Sequence, residues 1–262
     1  MRLLKSWLTG QRLDSGYLRA AHYFGDGWPI NCWSTMNRKQ ARIDFRQMRI
    51  DGFNAVILVV PYRGFQVSQF PITYEPYYFE LLDQLIREAR RARLWVILRI
   101  GYAHHICDQA PLVSGELTRR QLTDSGYEAP WRDYLEKLRK SLEPHSNVRH
   151  LFLCWEEFWH GFMWMTRVPE PQRHELAELS GYAAFLGVDN AVIPQESEPD
   201  FADFHRFANQ RLRDIYTRCR EVLPELGFEF RVDKDPLHSV DGSVSWLSND
   251  SLLDSDALRL SY

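Results

Sequence analysis

Short apolar runs alternate with amphipathic stretches along most of the chain. The run 55–60 is continuous and rich in β-branched residues, which is typical of a strand buried on both faces of a parallel sheet, and 95–100 is a further strand candidate. Between them, apolar residues recur at helical spacing over 78–89. The same criteria predict strands at 17–24, 55–60, 95–100, 148–155, 227–233 and 257–262, and helices at 37–52, 78–89, 131–142, 171–186 and 200–219.

This order of elements indicates an α/β fold, because repeated strand–helix–strand units form right-handed crossovers and a parallel sheet. Two closures of such a sheet compete, an open doubly wound sheet and a barrel. The turn after the first strand, Gly25-Asp26-Gly27, lacks the third glycine of a dinucleotide-binding loop. Long aromatic loops after the strands instead fit a (β/α)8 TIM-barrel-like domain, with its active face at the carboxyl ends of the strands. We predict one such domain over residues 1–262.

The number of strands does not complete a barrel, which needs eight to remove its edges. Only five or six strands can be identified. Either further strands lie within the long connections, or the chain is the N-terminal part of a barrel and stops after strand five or six. We favour truncation, because 259–262 ends without a closing helix.

Composition and charge narrow the classes of partner. Lys and Arg number 32 against 35 Asp and Glu, a net charge of −3, so no basic excess is available to neutralise nucleic acid. The start of the chain has no apolar run of signal-peptide length, and the run 55–61 is too short to cross a bilayer. These features predict a soluble, cytoplasmic protein with neither a nucleic-acid nor a membrane partner, and nothing in the sequence predicts its oligomeric state.

Cysteine spacing and aromatic content bear on the chemistry. The four cysteines (32, 107, 154 and 219) are scattered without a Cys-x-x-Cys pair, so neither a zinc site nor a disulfide scaffold is expected. His104 and His105 with Cys107 have no spacing that converges three ligands, and no phosphate loop or Gly-x-Ser-x-Gly motif occurs. We therefore predict no metal and no cofactor. Nine Trp and twelve Tyr exceed the needs of a core, and aromatic faces are surfaces on which sugars stack.

The densest functional pattern follows the fourth predicted strand. Glu156 and Glu157 end an apolar run and are enclosed in sequence by Trp155 and Trp159. A carboxylate close to indole rings loses solvation, which raises its pKa and lets it hold a proton near neutral pH. A general acid that protonates a leaving-group oxygen needs this property. The structural alternative is that one Glu caps the next helix while the Trp residues belong to the core.

In this order of elements, Trp155-Glu156-Glu157 resembles clan A of the glycoside hydrolases, the retaining (β/α)8-barrel enzymes of the cellulase and β-galactosidase type. The resemblance implies that Glu156 is the acid/base at the end of strand four, or Glu157 if the register differs by one. Trp155 stands where the clan usually has an Asn, and no strand seven is visible to carry the nucleophilic Glu. Asp233, after the fifth strand, could form a wider, inverting pair with Glu156, although a loop ion pair explains it equally well.

Polar and aromatic residues after other strands are candidates for binding sugar hydroxyls. Tyr62 and Arg63 follow the second strand, and the resemblance implies that an Arg near there keeps a nucleophile ionised. Tyr102 and His104 follow the third strand. Each residue taken alone is more often structural, but together with Trp155 and Trp159 they would line one groove.

These features predict a carbohydrate-active hydrolase of O-glycosidic bonds that acts on an oligosaccharide or polysaccharide. A non-catalytic glycan-binding protein on a degenerate barrel is the main alternative, because the Asn and the second carboxylate are missing. A barrel enzyme with a substrate other than sugar is a third, since barrel architecture does not fix chemistry.

Overall fold

The computed structural model describes residues 17–27, 32–102 and 122–229. These residues fall into two compact units. The first unit comprises the described residues up to 102 together with 132–153, and the second comprises 122–131 and 154–229. The prediction of one domain over 1–262 stays a prediction.

The first unit contains most of the β-structure. Its strands are β1 (Ala20–His22), β2 (Ala55–Pro61), β3 (Gln66–Gln69), β4 (Ile72–Tyr74), β5 (Trp95–Tyr102) and β6 (Val148–Cys154). Its helices are α1 (Cys32–Thr35), α2 (Arg38–Ile50), α3 (Tyr62–Phe65), α4 (Pro76–Arg91) and α5 (Glu128–Leu142), the last of which begins in the second unit.

A parallel sheet in the order β1-β2-β5-β6 forms the centre of this unit, which confirms the predicted α/β class. Ala55 of β2 lies opposite Ala20 of β1 and Trp95 of β5. Val96 of β5 in turn lies opposite Val148 of β6. Every residue of β2 is buried, as expected for a strand covered on both faces.

The helices that connect these strands begin at side-chain caps. The Asn37 side chain accepts hydrogen bonds from the backbone of Lys39 and Gln40 at 2.8 and 3.4 Å, which starts α2. Glu75 caps α4 by accepting from the Tyr77 amide at 3.1 Å. Both helices lie where helical periodicity predicts them.

One element in the first unit has no counterpart in the prediction. Between β2 and α4 the chain forms the short helix α3 and then an antiparallel hairpin of β3 and β4. Its strands of four and three residues are mostly exposed, so they lack the buried apolar run by which the other strands are recognised.

The second unit is mainly helical in its described part. Its elements are a 3-10 turn (Ser125–Tyr127), α6 (Trp155–Arg167), α7 (Glu170–Ser180), α8 (Tyr182–Leu186), α9 (Phe201–Val222) and the strand β7 (Leu226–Glu229). Asp200 occupies the N-cap position of α9, but its side chain makes no capping hydrogen bond. The predicted strand 227–233 corresponds to β7 up to Glu229, and 257–262 lies outside the described residues.

The predicted helix 171–186 is broken into two. Gly181 adopts a left-handed conformation with φ 87° and separates α7 from α8. A residue with a Cβ disfavours that conformation, so glycine permits the break. Across 17–27, 32–102 and 122–229, no helix has the length and apolar character needed to cross a membrane.

Candidate active site

The candidate site is defined by the carboxyl edge of the parallel sheet. Pro61, the last residue of β2, lies opposite Tyr102, the last residue of β5. The neighbouring strand β6 ends at Cys154. Because parallel strands end at a common edge, the segments that follow them start from the same side of the sheet.

The carboxylate pair follows β6 directly. The strand ends at Cys154, one residue earlier than predicted, and α6 begins at Trp155 with no intervening loop. The backbone therefore places Glu156 and Glu157 in the first turn of a helix, immediately beyond the sheet edge. A helix starts here because 155–160 contains neither Gly nor Pro.

The described side chains of α6 are buried around much of the helix. Phe158, Phe162, Met163 and Met165 are each at most 2% exposed. At 3.6 residues per turn these four positions do not form one stripe, so helical register does not separate the Trp positions from the Glu positions.

Tyr62 differs from the groove-lining role predicted for it. Its side chain is 1% exposed, and its ring packs against Tyr134 with ring centroids 4.8 Å apart. Its hydroxyl donates to Gln66 Oε1 at 2.7 Å. The phenol is thus part of the core beneath the β3–β4 hairpin and presents no face to a ligand.

Of the remaining predicted site residues, the structure describes the positions of Arg63 and Tyr102. Arg63 is half-buried in α3, directly after β2. Tyr102 is the final residue of β5 and takes its place at the sheet edge. His104 and Asp233 lie outside the described residues.

Sequence reasoning did not group three polar residues that lie on one face of the sheet. Ile97 of β5 lies opposite His150 of β6 and Ile57 of β2, and Ile57 lies opposite His22 of β1. Because side chains alternate along a strand, Arg99 of β5 shares the face of Ile97. Two imidazoles and a guanidinium therefore interrupt an otherwise apolar sheet face.

This polar face is turned away from the helix that packs on the other side. Tyr23 follows His22 in the chain, so it belongs to the opposite face, and its ring contacts Phe45 of α2 at 4.8 Å. Burial, reinforced by the Arg149 charge, lowers the pKa of His150. A neutral imidazole can both donate and accept hydrogen bonds, as sugar hydroxyls require. Polar residues within apolar strand runs were the available signal for this face.

In the part of the chain that the structure describes, no three His, Cys, Asp or Glu side chains are grouped as metal ligands.

The fold of the chain is similar to part of the fold of solved GH5 glycoside hydrolases. GH5_18 from Streptomyces cattleya in complex with GlcNAc matches with a TM-score of 0.51 and 16% identity, over 83% of this chain and 46% of that one. A variant of GH5_18 from Streptomyces cattleya in complex with Manb1-4GlcNAc gives 0.50 and 15%, over 81% and 45%.

A third structure is less similar. Exo-beta-1,4-mannosidase Op5Man5 from Opitutaceae bacterium strain TAV5 matches with a TM-score of 0.47 and 15% identity, over 80% of this chain and 30% of that one. The chain thus spans less than half the length of these three proteins. No protein-family model and no curated protein matches its sequence.

Proposed function

We propose that the protein is a carbohydrate-active hydrolase of O-glycosidic bonds in which Glu156 is the general acid/base. The observation that carries the proposal is the junction of β6 and α6, which puts Glu156 two residues beyond the carboxyl end of a barrel-type parallel strand. Catalytic residues of this architecture come from the carboxyl ends of its strands. Glu157, one position later, is the alternative acid.

The chemistry assigned to Glu156 has two stages. It protonates the glycosidic oxygen as the bond to the anomeric carbon breaks. In a retaining reaction the second carboxylate first forms a glycosyl–enzyme bond, and the Glu156 carboxylate then removes a proton from the water that hydrolyses this bond; in an inverting reaction the second carboxylate itself removes the proton from the attacking water. A second carboxyl group must complete the reaction, at about 5 to 5.5 Å for retention or about 6.5 to 9.5 Å for inversion. Asp233 is this chain's candidate for the inverting partner.

The proposed sugar groove combines predicted and newly identified residues. Arg63 and Tyr102 keep the binding roles expected for them, and His104, Trp155 and Trp159 remain candidates on sequence alone. We add the polar sheet face to this set, with His22, Arg99 and His150 as hydrogen-bonding groups for hydroxyls. Tyr62 is left out, because its phenol is enclosed in the core.

The substrate in this proposal is an oligosaccharide or polysaccharide. The two GH5_18 structures contain GlcNAc and Manb1-4GlcNAc, which makes β-linked manno- and gluco-configured oligosaccharides the first compounds to test. Turnover should be followed by the appearance of new reducing ends.

The test compares Glu156→Gln with Glu157→Gln. Removing the proton donor should lower kcat by about 10²- to 10⁴-fold, the usual contribution of general acid–base catalysis. Glu157→Gln, a matched change one residue away, should retain most of the activity. If Glu156→Gln hydrolyses its glycan at the wild-type rate, the assignment is wrong; a loss confined to Glu157→Gln transfers the role to Glu157.

A non-catalytic glycan-binding protein is the second candidate, and the presence of Trp155 where clan A usually has an Asn favours it. In that case calorimetry detects oligosaccharide binding by the wild-type protein while no reducing ends appear. Glu156→Gln then leaves the binding constant unchanged. Turnover by the wild-type protein excludes this candidate.

A further inference from the structure

The β3–β4 hairpin, residues 66–74, lies in the connection that leaves the carboxyl end of β2. In a barrel these connections build the ligand-binding face, while the opposite connections serve stability. The hairpin is therefore an insertion on the side of the sheet from which the candidate site starts, and none of the residues proposed above for sugar binding belongs to it.

The base of the hairpin is fixed by a chain of hydrogen bonds. The Gln66 side chain accepts from the Tyr62 hydroxyl at 2.7 Å and donates from Nε2 to the Tyr74 hydroxyl at 3.1 Å. Tyr74 in turn donates to the Asp133 carboxylate on α5. The Glu75 amide donates to the Phe65 carbonyl at 3.0 Å and joins the two residues that flank the hairpin. Both strands of the hairpin are therefore held at its base.

The tip of the hairpin, unlike its base, carries exposed apolar side chains. Phe70 is 62% exposed, and Val67 and Ile72 are 51% and 39% exposed. The Gln69 side chain beside Phe70 is held by a bond from its Nε2 to the Gln66 carbonyl at 3.1 Å, and the Thr73 hydroxyl group lies on an exposed residue. An exposed ring on a rigid support, with an amide and a hydroxyl close by in the chain, needs little ordering to bind a ligand.

This combination matches the chemistry of a pyranose ring better than that of an apolar peptide or a second protein. A sugar presents a face of C–H groups that packs on an aromatic ring, and hydroxyls at its rim that pair with amides and hydroxyls. Ser68, Gln69 and Thr73 flank the short apolar run 70–72, so the patch is small and bounded by polar residues. A stable protein interface needs a larger continuous area of about 800 Å² on each partner.

We propose that the β3–β4 hairpin is an accessory sugar subsite, in which Phe70 stacks on a unit of the chain remote from the bond that is cleaved. The inference rests on the proposed function, and it deepens that function by assigning a preference for longer oligosaccharides. The hairpin thus favours the binding of longer oligosaccharides, whereas Glu156 catalyses the cleavage of the glycosidic bond.

The experiment measures binding in the Glu156→Gln background, so that the sugars are not consumed. Calorimetry with β-1,4-linked mannohexaose, cellohexaose and chitohexaose is compared with the corresponding disaccharides. Phe70→Ala should lower the ratio of hexasaccharide to disaccharide affinity about tenfold, the equivalent of about 1.4 kcal/mol. Phe70→Trp should restore the ratio, because stacking requires the ring and not its identity.

Tyr17→Ala is the matched control. Tyr17 is an aromatic residue with 85% exposure, but it precedes β1 and so lies toward the amino edge of the sheet. Its replacement should leave the affinity ratio unchanged. If the background protein binds the sugars and Phe70→Ala leaves the ratio intact, the hairpin inference is overturned while the proposed function stands. If neither the wild-type protein nor the Glu156→Gln protein binds any of these sugars, both are overturned.

Discussion

Each unit contains a cluster of side chains that stabilises its interior, and the two clusters differ in kind. In the first unit, fully buried polar groups link the elements: the Asn147 side chain donates to the Ile86 carbonyl at 3.1 Å, and the Asn54 side chain accepts from the Arg19 amide at 2.7 Å. The cluster in the second unit consists of aromatic side chains. Tyr182, Phe204 and Phe207 contact one another with centroids 5.3 to 5.9 Å apart.

The first unit also contains a buried charged cluster around Glu88. The Glu88 side chain on α4 is fully buried and receives three arginines: Arg38 at 2.8 Å, Arg42 at 3.0 Å and Arg91 at 2.5 Å. Hydrogen bonds from Arg42 and Arg38 hold the pKa of Glu88 down at about 2. The Glu88 cluster makes its part of the first unit sensitive to protonation, whereas packing of the Tyr182, Phe204 and Phe207 rings in the second unit depends on volume.

Removing a ring from the second unit should produce the largest change. Phe204 is fully buried and touches both Tyr182 and Phe162. Phe204→Ala should lower the free energy of unfolding by about 4 kcal/mol, through lost burial and the cavity left behind. Urea denaturation followed by circular dichroism measures this. Phe185→Ala, at a ring of the same cluster that is 42% exposed, should cost less than half as much, and equal losses would mean that ring volume is not what holds the unit.

Breaking the charge cluster of the first unit should have the next largest effect. Glu88→Ala leaves three arginines facing one another without an acceptor, which should cost about 3 kcal/mol. The loss stays at the lower end of the range for buried pairs because the arginine side chains are half exposed and can turn to water. Glu143→Ala removes an exposed ion pair with Arg139 at 3.4 Å and should change stability by about 0.5 kcal/mol or less. Similar losses for the two variants would contradict the role given to Glu88.

Lowering the pH should destabilise the first unit before the second. Because the pKa of Glu88 is lower in the folded protein than its ordinary 4.5, its contribution is complete above that value and is lost as the pH falls toward about 2. Burial also lowers the pKa of His145, which faces Asp83 and Arg87, so its contribution is lost as the pH falls below about 6.5.

Hydrogen exchange across this pH range should show amides of α2 and α4 losing protection before those of α9. Glu88→Gln should flatten the more acidic part of the profile and leave the part due to His145. Parallel loss of protection in all three helices would contradict a polar first unit and an apolar second unit.

Sequence patterns predicted the elements whose periodicity reflects burial. The strands β2 and β5 and the helices α2, α4 and α9 have long apolar runs or stripes, and the structure has all of them at the predicted places. The β3–β4 hairpin was not predicted because most of its side chains are at least partly exposed. Helix α6 was not predicted because its apolar residues are too dense to show a stripe. The break at Gly181 was missed because one glycine within a helical pattern is also compatible with an unbroken helix.

The candidate site was predictable only as far as chain order fixes it. The position of Glu156 beyond the fourth parallel strand follows from the order of elements, and the structure has that order. Tyr62 could not be assigned in the same way, because a tyrosine after a strand has the same sequence whether its ring faces a groove or the core. Arg99 and His150 needed the strand register, which places them on one face and which no local pattern supplies.

The smallest predicted effect concerns the break between α7 and α8. A Cβ at Gly181 meets no atom within 4 Å, so Gly181→Ala costs only the left-handed conformation at φ 87°, about 1 kcal/mol. Gly181→Asn should recover about half of this, because asparagine tolerates that conformation better than alanine. Urea denaturation gives the stabilities, and hydrogen exchange at residues 181–186 shows whether the break persists. Equal losses of unfolding free energy for the Ala and Asn variants would attribute the effect to the presence of a side chain and not to the left-handed conformation. If Gly181→Ala is instead stabilised and its amides are protected continuously from α7 into α8, this sequence prefers the unbroken helix that its periodicity predicts.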